Sequence, residues 1–174
     1  MSGQNVTIIE NLCDNYHIPL RHEMEHMRKK YGLDVSLPKN LGVIVYMSCK
    51  NNDIPRSYNE VISITKCTSR DIWHGIQELG ITEGDIVKPS DIIYRVLPEL
   101  AFKQQLLIGL VSDKVQEIIP QATPEACLGY GLTKVLGISG QEAVCQLDNR
   151  CSFREISRQK NGFIQKRKRE SNRK

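Results

Sequence analysis

The sequence has no run of about 20 apolar residues, so no membrane span is expected. It has no CxxC pair either. Its six cysteines stand singly at positions 13, 49, 67, 127, 145 and 151. A zinc ribbon needs paired cysteines and a disulfide scaffold needs an oxidising compartment. Several of these cysteines lie in apolar runs such as Val45-Tyr46-Met47-Ser48-Cys49, and they read as reduced, partly buried thiols used as small hydrophobes. There is no nucleotide-binding glycine loop, no GxGxxG turn and no GxSxG elbow, and Ser, Cys and His show no nucleophile–base spacing. No cofactor is expected. Met1 to Leu12 is polar and mixed, without the basic-then-apolar plan of a secretory signal, which points to an intracellular protein.

What is present is a chain of 174 residues, 40% hydrophobic, enough for one ordinary domain or two small ones. The net charge of +4 is unevenly placed. From Arg154 to the end there are nine Lys or Arg against two Glu, leaving −3 for the other 153 residues. The run Lys166-Arg167-Lys168-Arg169 carries most of that excess. Its composition suits a solvated end, and equally a contact with phosphate backbones or nuclear import receptors.

The pattern predicts an all-α chain. Val6 to Tyr16 has helical spacing and ends before Pro19. Met24, Met27 and Tyr31 mark a second helix, closed by Gly32. Leu41 to Cys49 is apolar nearly all round, so neighbours must wrap it. Ser57-Tyr58-Asn59-Glu60 is a capping box opening a short helix to Ile64. A turn at Thr65-Lys66-Cys67 follows, and Thr68 or Ser69 caps a helix to about Leu79. Gly80 to Pro89 is the expected joint. Beyond it, Ser90 should cap a helix with Ile92, Ile93, Val96 and Leu97 on one face, ended by Pro98. Leu106, Leu107, Leu110, Val111, Val115 and Ile118 form the next, and Thr123-Pro124 starts a third with the apolar core Ala126 to Leu132.

His22-Glu23-Met24-Glu25-His26 fits HExxH, the zinc-hydrolase spacing with two histidines one turn apart. The setting argues against it. Glu25, Arg21, Arg28, Lys29 and Lys30 surround the histidines with charge, and no third ligand follows at a usual spacing. His17 and Glu10 are stand-ins without a motif. The reading is therefore of surface histidines, with no metal and no catalysis.

An internal repeat organises the rest. Tyr46 and Lys50 recur as Tyr130 and Lys134, and the capping box Ser57/Glu60 recurs as Ser139/Glu142. Cys67-Thr68 recurs as Cys151-Ser152, and Arg70-Asp71-Ile72 as Arg154-Glu155-Ile156. The repeats divide the chain at 1–82 and 83–164, leaving 165–174 as a basic tail expected to be disordered.

These residues resemble the core of the transcription factor IIB family. Val45 to Lys50, Ile54-Pro55-Arg56-Ser57-Tyr58-Asn59-Glu60-Val61 and Thr68 to Ile72 resemble its first repeat, and Thr123 to Ala126 with Ser139 to Ile156 its second. The resemblance implies two tandem five-helix cyclin-like repeats. It further implies binding to double-stranded promoter DNA beside a TATA-binding protein, with RNA polymerase subunits as further partners. It places the reading helix near Ser152, with Arg154, Arg158 and Lys160 projecting outward, Phe153 packing inward or else making an apolar contact with a base, and Lys166, Arg167, Lys168 and Arg169 following. The equivalent helix of the first repeat offers Arg70 and His74. The family's zinc ribbon has no counterpart in this sequence, so polymerase contact by that route is not expected. So divergent a version suits a large DNA virus or a fast-evolving lineage, acting in the nucleus or in a cytoplasmic viral factory. A cyclin-like regulatory subunit of a protein kinase shares the five-helix plan and is the alternative.

Overall fold

The structure, a computed structural model, describes residues 2–81 and 87–171, without the side chains of Ser2, Val6, Arg167, Lys168, Glu170 and Ser171. It is all-helical, with ten helices and no strand among the described residues. They run α1 (Ser2–Tyr16), α2 (Arg21–Tyr31), α3 (Pro38–Asn51), α4 (Tyr58–Thr65), α5 (Ser69–Glu78), α6 (Pro89–Val96), α7 (Phe102–Ile118), α8 (Pro124–Val135), α9 (Gly140–Gln146) and α10 (Phe153–Ser171). The chain divides into two compact units, Met1–Ile86 and Val87–Lys174. That division falls inside the joint expected at Gly80 to Pro89, of which residues 82–86 lie outside the described ones.

In the first unit α3 is the axis, with α2, α4 and α5 packed on it and α1 against α2. Every residue from Leu41 to Cys49 is buried, as a helix without a polar face requires. Two glycines bring its neighbours in. A Cβ on Gly42 would lie 2.5 Å from Cys67 Sγ and 3.3 Å from Ile72, and one on Gly75 of α5 would run into Val43. The joints follow the sequence: Gly32 closes α2 with φ 62°, Ser57 and Glu60 form the capping box of α4, and Lys66 turns the chain at φ 60°. Of the two candidate caps for α5, Thr68 takes the role.

In the second unit α8 is the axis, touched by α6, α7, α9 and α10, and buried from Glu125 to Leu132. Gly129 admits Ile156 of α10, which stands 2.5 Å from where its Cβ would be. Gly131 admits α7, and a Cβ there would lie 3.0 Å from the Ile108 carbonyl oxygen and against the Ser112 hydroxyl.

Two expectations need correction here, and α7, a helix as expected, turns outward the leucines that mark it in the sequence. Ser90 does not cap α6: its hydroxyl and amide both donate to Asp113 on α7, at 2.6 and 2.9 Å, so Lys88 occupies the cap position and Pro89 the first turn. The leucine face of α7 points outward. Its buried face is Gln105, Ile108, Gly109, Ser112, Val115 and Gln116, while Leu106, Leu107 and Leu110 are exposed. The close approach of α8 selects small residues, and the polar ones find backbone partners. Gln105 donates to the Leu97 carbonyl at 2.7 Å and Ser112 to the Ile108 carbonyl at 2.6 Å. The basic segment expected as a disordered tail continues α10 to Ser171. It holds no Gly or Pro and is rich in good helix formers, and Lys166 donates to the carbonyl of Ile118 at the end of α7.

Five cysteines are buried and Cys145 is exposed. Burial pushes the thiols of Cys127 and Cys151 up to about 12, and raises those of Cys13 and Cys67. A thiol so shifted holds almost no thiolate. In the native protein a thiol reagent near neutral pH should therefore label Cys145 quickly and the other five only after denaturant is added. Gly131→Val should overpack the α7–α8 contact and cost about 2 kcal/mol in denaturant unfolding. Gly3→Ala, at a position with open space around it, should cost nothing measurable.

Candidate nucleic-acid interface

The basic residues singled out in the sequence sit on α5 and α10, and the same local device starts both helices. Thr68 accepts from the Asp71 amide at 3.1 Å while Asp71 accepts from the Thr68 amide at 2.8 Å. Ser152 and Glu155 repeat this at 3.2 and 2.7 Å. Each box satisfies otherwise orphaned amides and fixes the first turn, so the arginine inside it, Arg70 or Arg154, leaves the helix in a defined direction. It also removes the acid beside each arginine from play, because Asp71 and Glu155 are turned back onto their caps.

On α10 the side chains sort by angle. Ile156 and Gln159 are buried, and Phe163 packs on Tyr130 with ring centroids 5.7 Å apart. The opposite strip carries Arg154, Arg158, Asn161, Gln165 and Arg169, spaced i, i+4, i+7, i+11 and i+15, and all five are exposed. Arg154 and Arg158 make no ion pair or hydrogen bond among the described residues. Three arginines interleaved with two amides form a strip roughly 22 Å long.

Two other residues predicted on α10, Lys160 and Lys166, lie off it. Lys160 is exposed but about 140° around the helix from the strip. Lys166 is tied to the Ile118 carbonyl. Arg167 and Lys168 lie on the helix, with side chains outside the described ones. Phe153 is half exposed, 49%, not turned inward, and its ring lies on Gly140 of α9, 2.6 Å from where a Cβ would stand.

On α5, Arg70 Nε donates to His74 Nε2 at 3.1 Å. Beside them is a residue the sequence reading passed over. Trp73, the protein's one tryptophan, is 47% exposed and meets the His74 ring edge-on at 5.0 Å. The signal was available: with Ile72 and Ile76 inward, position 73 faces out.

The HExxH histidines, His22 and His26, are exposed on α2. Glu25 is instead part-buried with Arg28, at 3.0 Å, and Glu10 is engaged by Arg21. Among the described residues no group of three His, Cys, Asp or Glu is placed to hold a metal ion. No described helix is long and apolar enough to cross a membrane. Compared with known proteins, the sequence matches no family model and no curated relative.

Two of the capping boxes give the fold an acid limit. The Thr68 hydroxyl and amide hold the Asp71 carboxyl below its ordinary value, and Ser139 does the same for Glu142. A carboxyl lowered by folding adds stability above its unfolded value and loses it as pH falls through the folded one. Melting temperature should therefore drop as pH is taken below about 4. Asp71→Asn with Glu142→Gln should start lower at neutral pH and fall less.

Proposed function

We propose that this protein is an initiation-factor core of the transcription factor IIB kind, two cyclin-like repeats that act by binding and without catalysis. In this reading it binds double-stranded promoter DNA beside a TATA-binding protein and helps assemble an RNA polymerase initiation complex, in the nucleus or in a viral factory. The observation that carries the reading is the strip Arg154, Arg158, Asn161, Gln165 and Arg169 along α10. Arginine reaches guanine edges and phosphates, and Asn and Gln pair with adenine edges, so these residue types suit one helix laid in a major groove.

Recurring contacts support the repeat. Lys50 lies over the Tyr46 ring at 5.9 Å and Lys134 over the Tyr130 ring at 5.6 Å, both one turn apart on the central helix. Cys67 and Cys151 are both buried just before the last helix of their unit, and Ile72 and Ile156 both pack against a glycine of the central helix. Each last-but-one helix opens with a Ser–Glu capping box.

Electrophoretic mobility of promoter DNA, with and without TATA-binding protein, tests this. Arg154→Ala plus Arg158→Ala should weaken the complex at least about tenfold and lower its salt slope by about 2. Lys160→Ala, off the strip, should leave DNA affinity near that of the parent. Absence of any DNA complex, together with copurification of a protein kinase, would favour the cyclin-like reading instead.

A further inference from the structure

The outward face of α7 is a feature the DNA reading leaves unused. Phe102, Leu106 and Leu110 form one row at i, i+4 and i+8, exposed by 67, 48 and 60%. Leu107 flanks that row, and Tyr94 of α6 stacks on Phe102 with centroids 6.4 Å apart and planes 15° from parallel. A contiguous apolar surface of this kind on a folded unit marks an interaction site. The alternative of burying it was open to the same helix: Gln105, Ser112 and Gln116 lie on the opposite side and are the ones inside.

Charge decides what fits. Along the outermost line of the helix the sequence reads Lys103, Leu107, Leu110, Lys114 at i, i+4, i+7 and i+11, with a lysine at each end of the leucines. Neither lysine makes an ion pair among the described residues. Glu117, also exposed, lies beyond Lys114 near the end of the helix. A second copy fits badly. Antiparallel pairing of two α7 faces through their leucines sets Lys103 against the partner's Lys114, and parallel pairing sets each lysine against itself. Leucines also offer nothing to a base edge or a phosphate. The complementary surface is an apolar row about three turns long with acids at both ends.

We propose that the α7 face docks an acidic amphipathic helix of a protein partner, its leucines seated along Phe102, Leu106, Leu107 and Leu110 and its carboxylates meeting Lys103 and Lys114. The binding mode is helix against helix face, with apolar anchors supplying affinity and the end charges supplying register and selectivity. It is independent of the DNA-binding strip on α10.

The test uses the full chain and two labelled synthetic helical peptides with the same Leu row, one with Glu at both ends and the other with Lys, followed by fluorescence anisotropy. The Glu peptide should bind at least about tenfold tighter than the Lys peptide. Lys103→Glu plus Lys114→Glu should reverse that order. Leu107→Ala plus Leu110→Ala, substitutions of exposed helical positions by the best helix former, should weaken the Glu peptide at least about tenfold while circular dichroism stays unchanged. Failure of the Glu peptide to bind, equal binding of both peptides, or no reversal in the charge-swapped variant would overturn the proposal. So would sedimentation showing a dimer of the parent chain that the Leu→Ala variant abolishes, since the face would then belong to a second copy.

Discussion

Each unit depends on burying one helix that has no polar side. Leu41 to Cys49 of α3 and Glu125 to Leu132 of α8 are removed from solvent over their whole circumference, and that is possible only when several other helices come close. Close approach in turn needs missing side chains. Gly42 and Gly75 supply the gaps in the first unit, and Gly129 and Gly131 in the second. Glycine in a helix interior costs about 1 kcal/mol in propensity, and the packing it permits must exceed that. The positions of α5 and α10, and so the direction of every exposed arginine on them, follow from how deeply Ile72 and Ile156 sink against these axes.

This constraint explains why the short joints are so fully capped. A last helix held against an apolar axis can still roll or fray at its first turn, and a capping box fixes that turn with two hydrogen bonds at no cost in surface. Thr68 with Asp71 and Ser152 with Glu155 therefore set Arg70 and Arg154 at the start of a rigid element. The same economy appears in the buried polar residues of α7. Gln105 and Gln116 reach carbonyls in the segments before and after the helix, so a polar face can be the inner one.

Much of the helical layout was legible in the sequence, because its signals are local. Capping boxes, the φ-positive Gly32, Pro19 and Pro98, and the nearly continuous apolar run of α3 each act within a turn or two. Two other features turn on distant partners. Leucines 106, 107 and 110 share a helix face by spacing alone, and only the approach of α8 through Gly131 shows that the opposite face is the buried one. Ser90 has the chemistry of a cap, yet Asp113 on the next helix claims it. The candidate site divides the same way. Arg154 and Arg158 could be paired from their spacing, and Asn161, Gln165 and Arg169 join them only once α10 is seen to continue as one helix. Lys166 lies off the strip, tied to a carbonyl 48 residues away.

That last contact has a consequence for recognition. A basic segment that is a flexible coil in the free protein must lose its conformational freedom when it meets a ligand, at about 1–2 kcal/mol of backbone entropy for each residue fixed. Here the tether from Lys166 to the end of α7 extends the helix beyond its last packed ring, Phe163, so the ordering has already occurred during folding. The strip behaves as a preformed template, whose selectivity resides in the spacing of its side chains and not in their number.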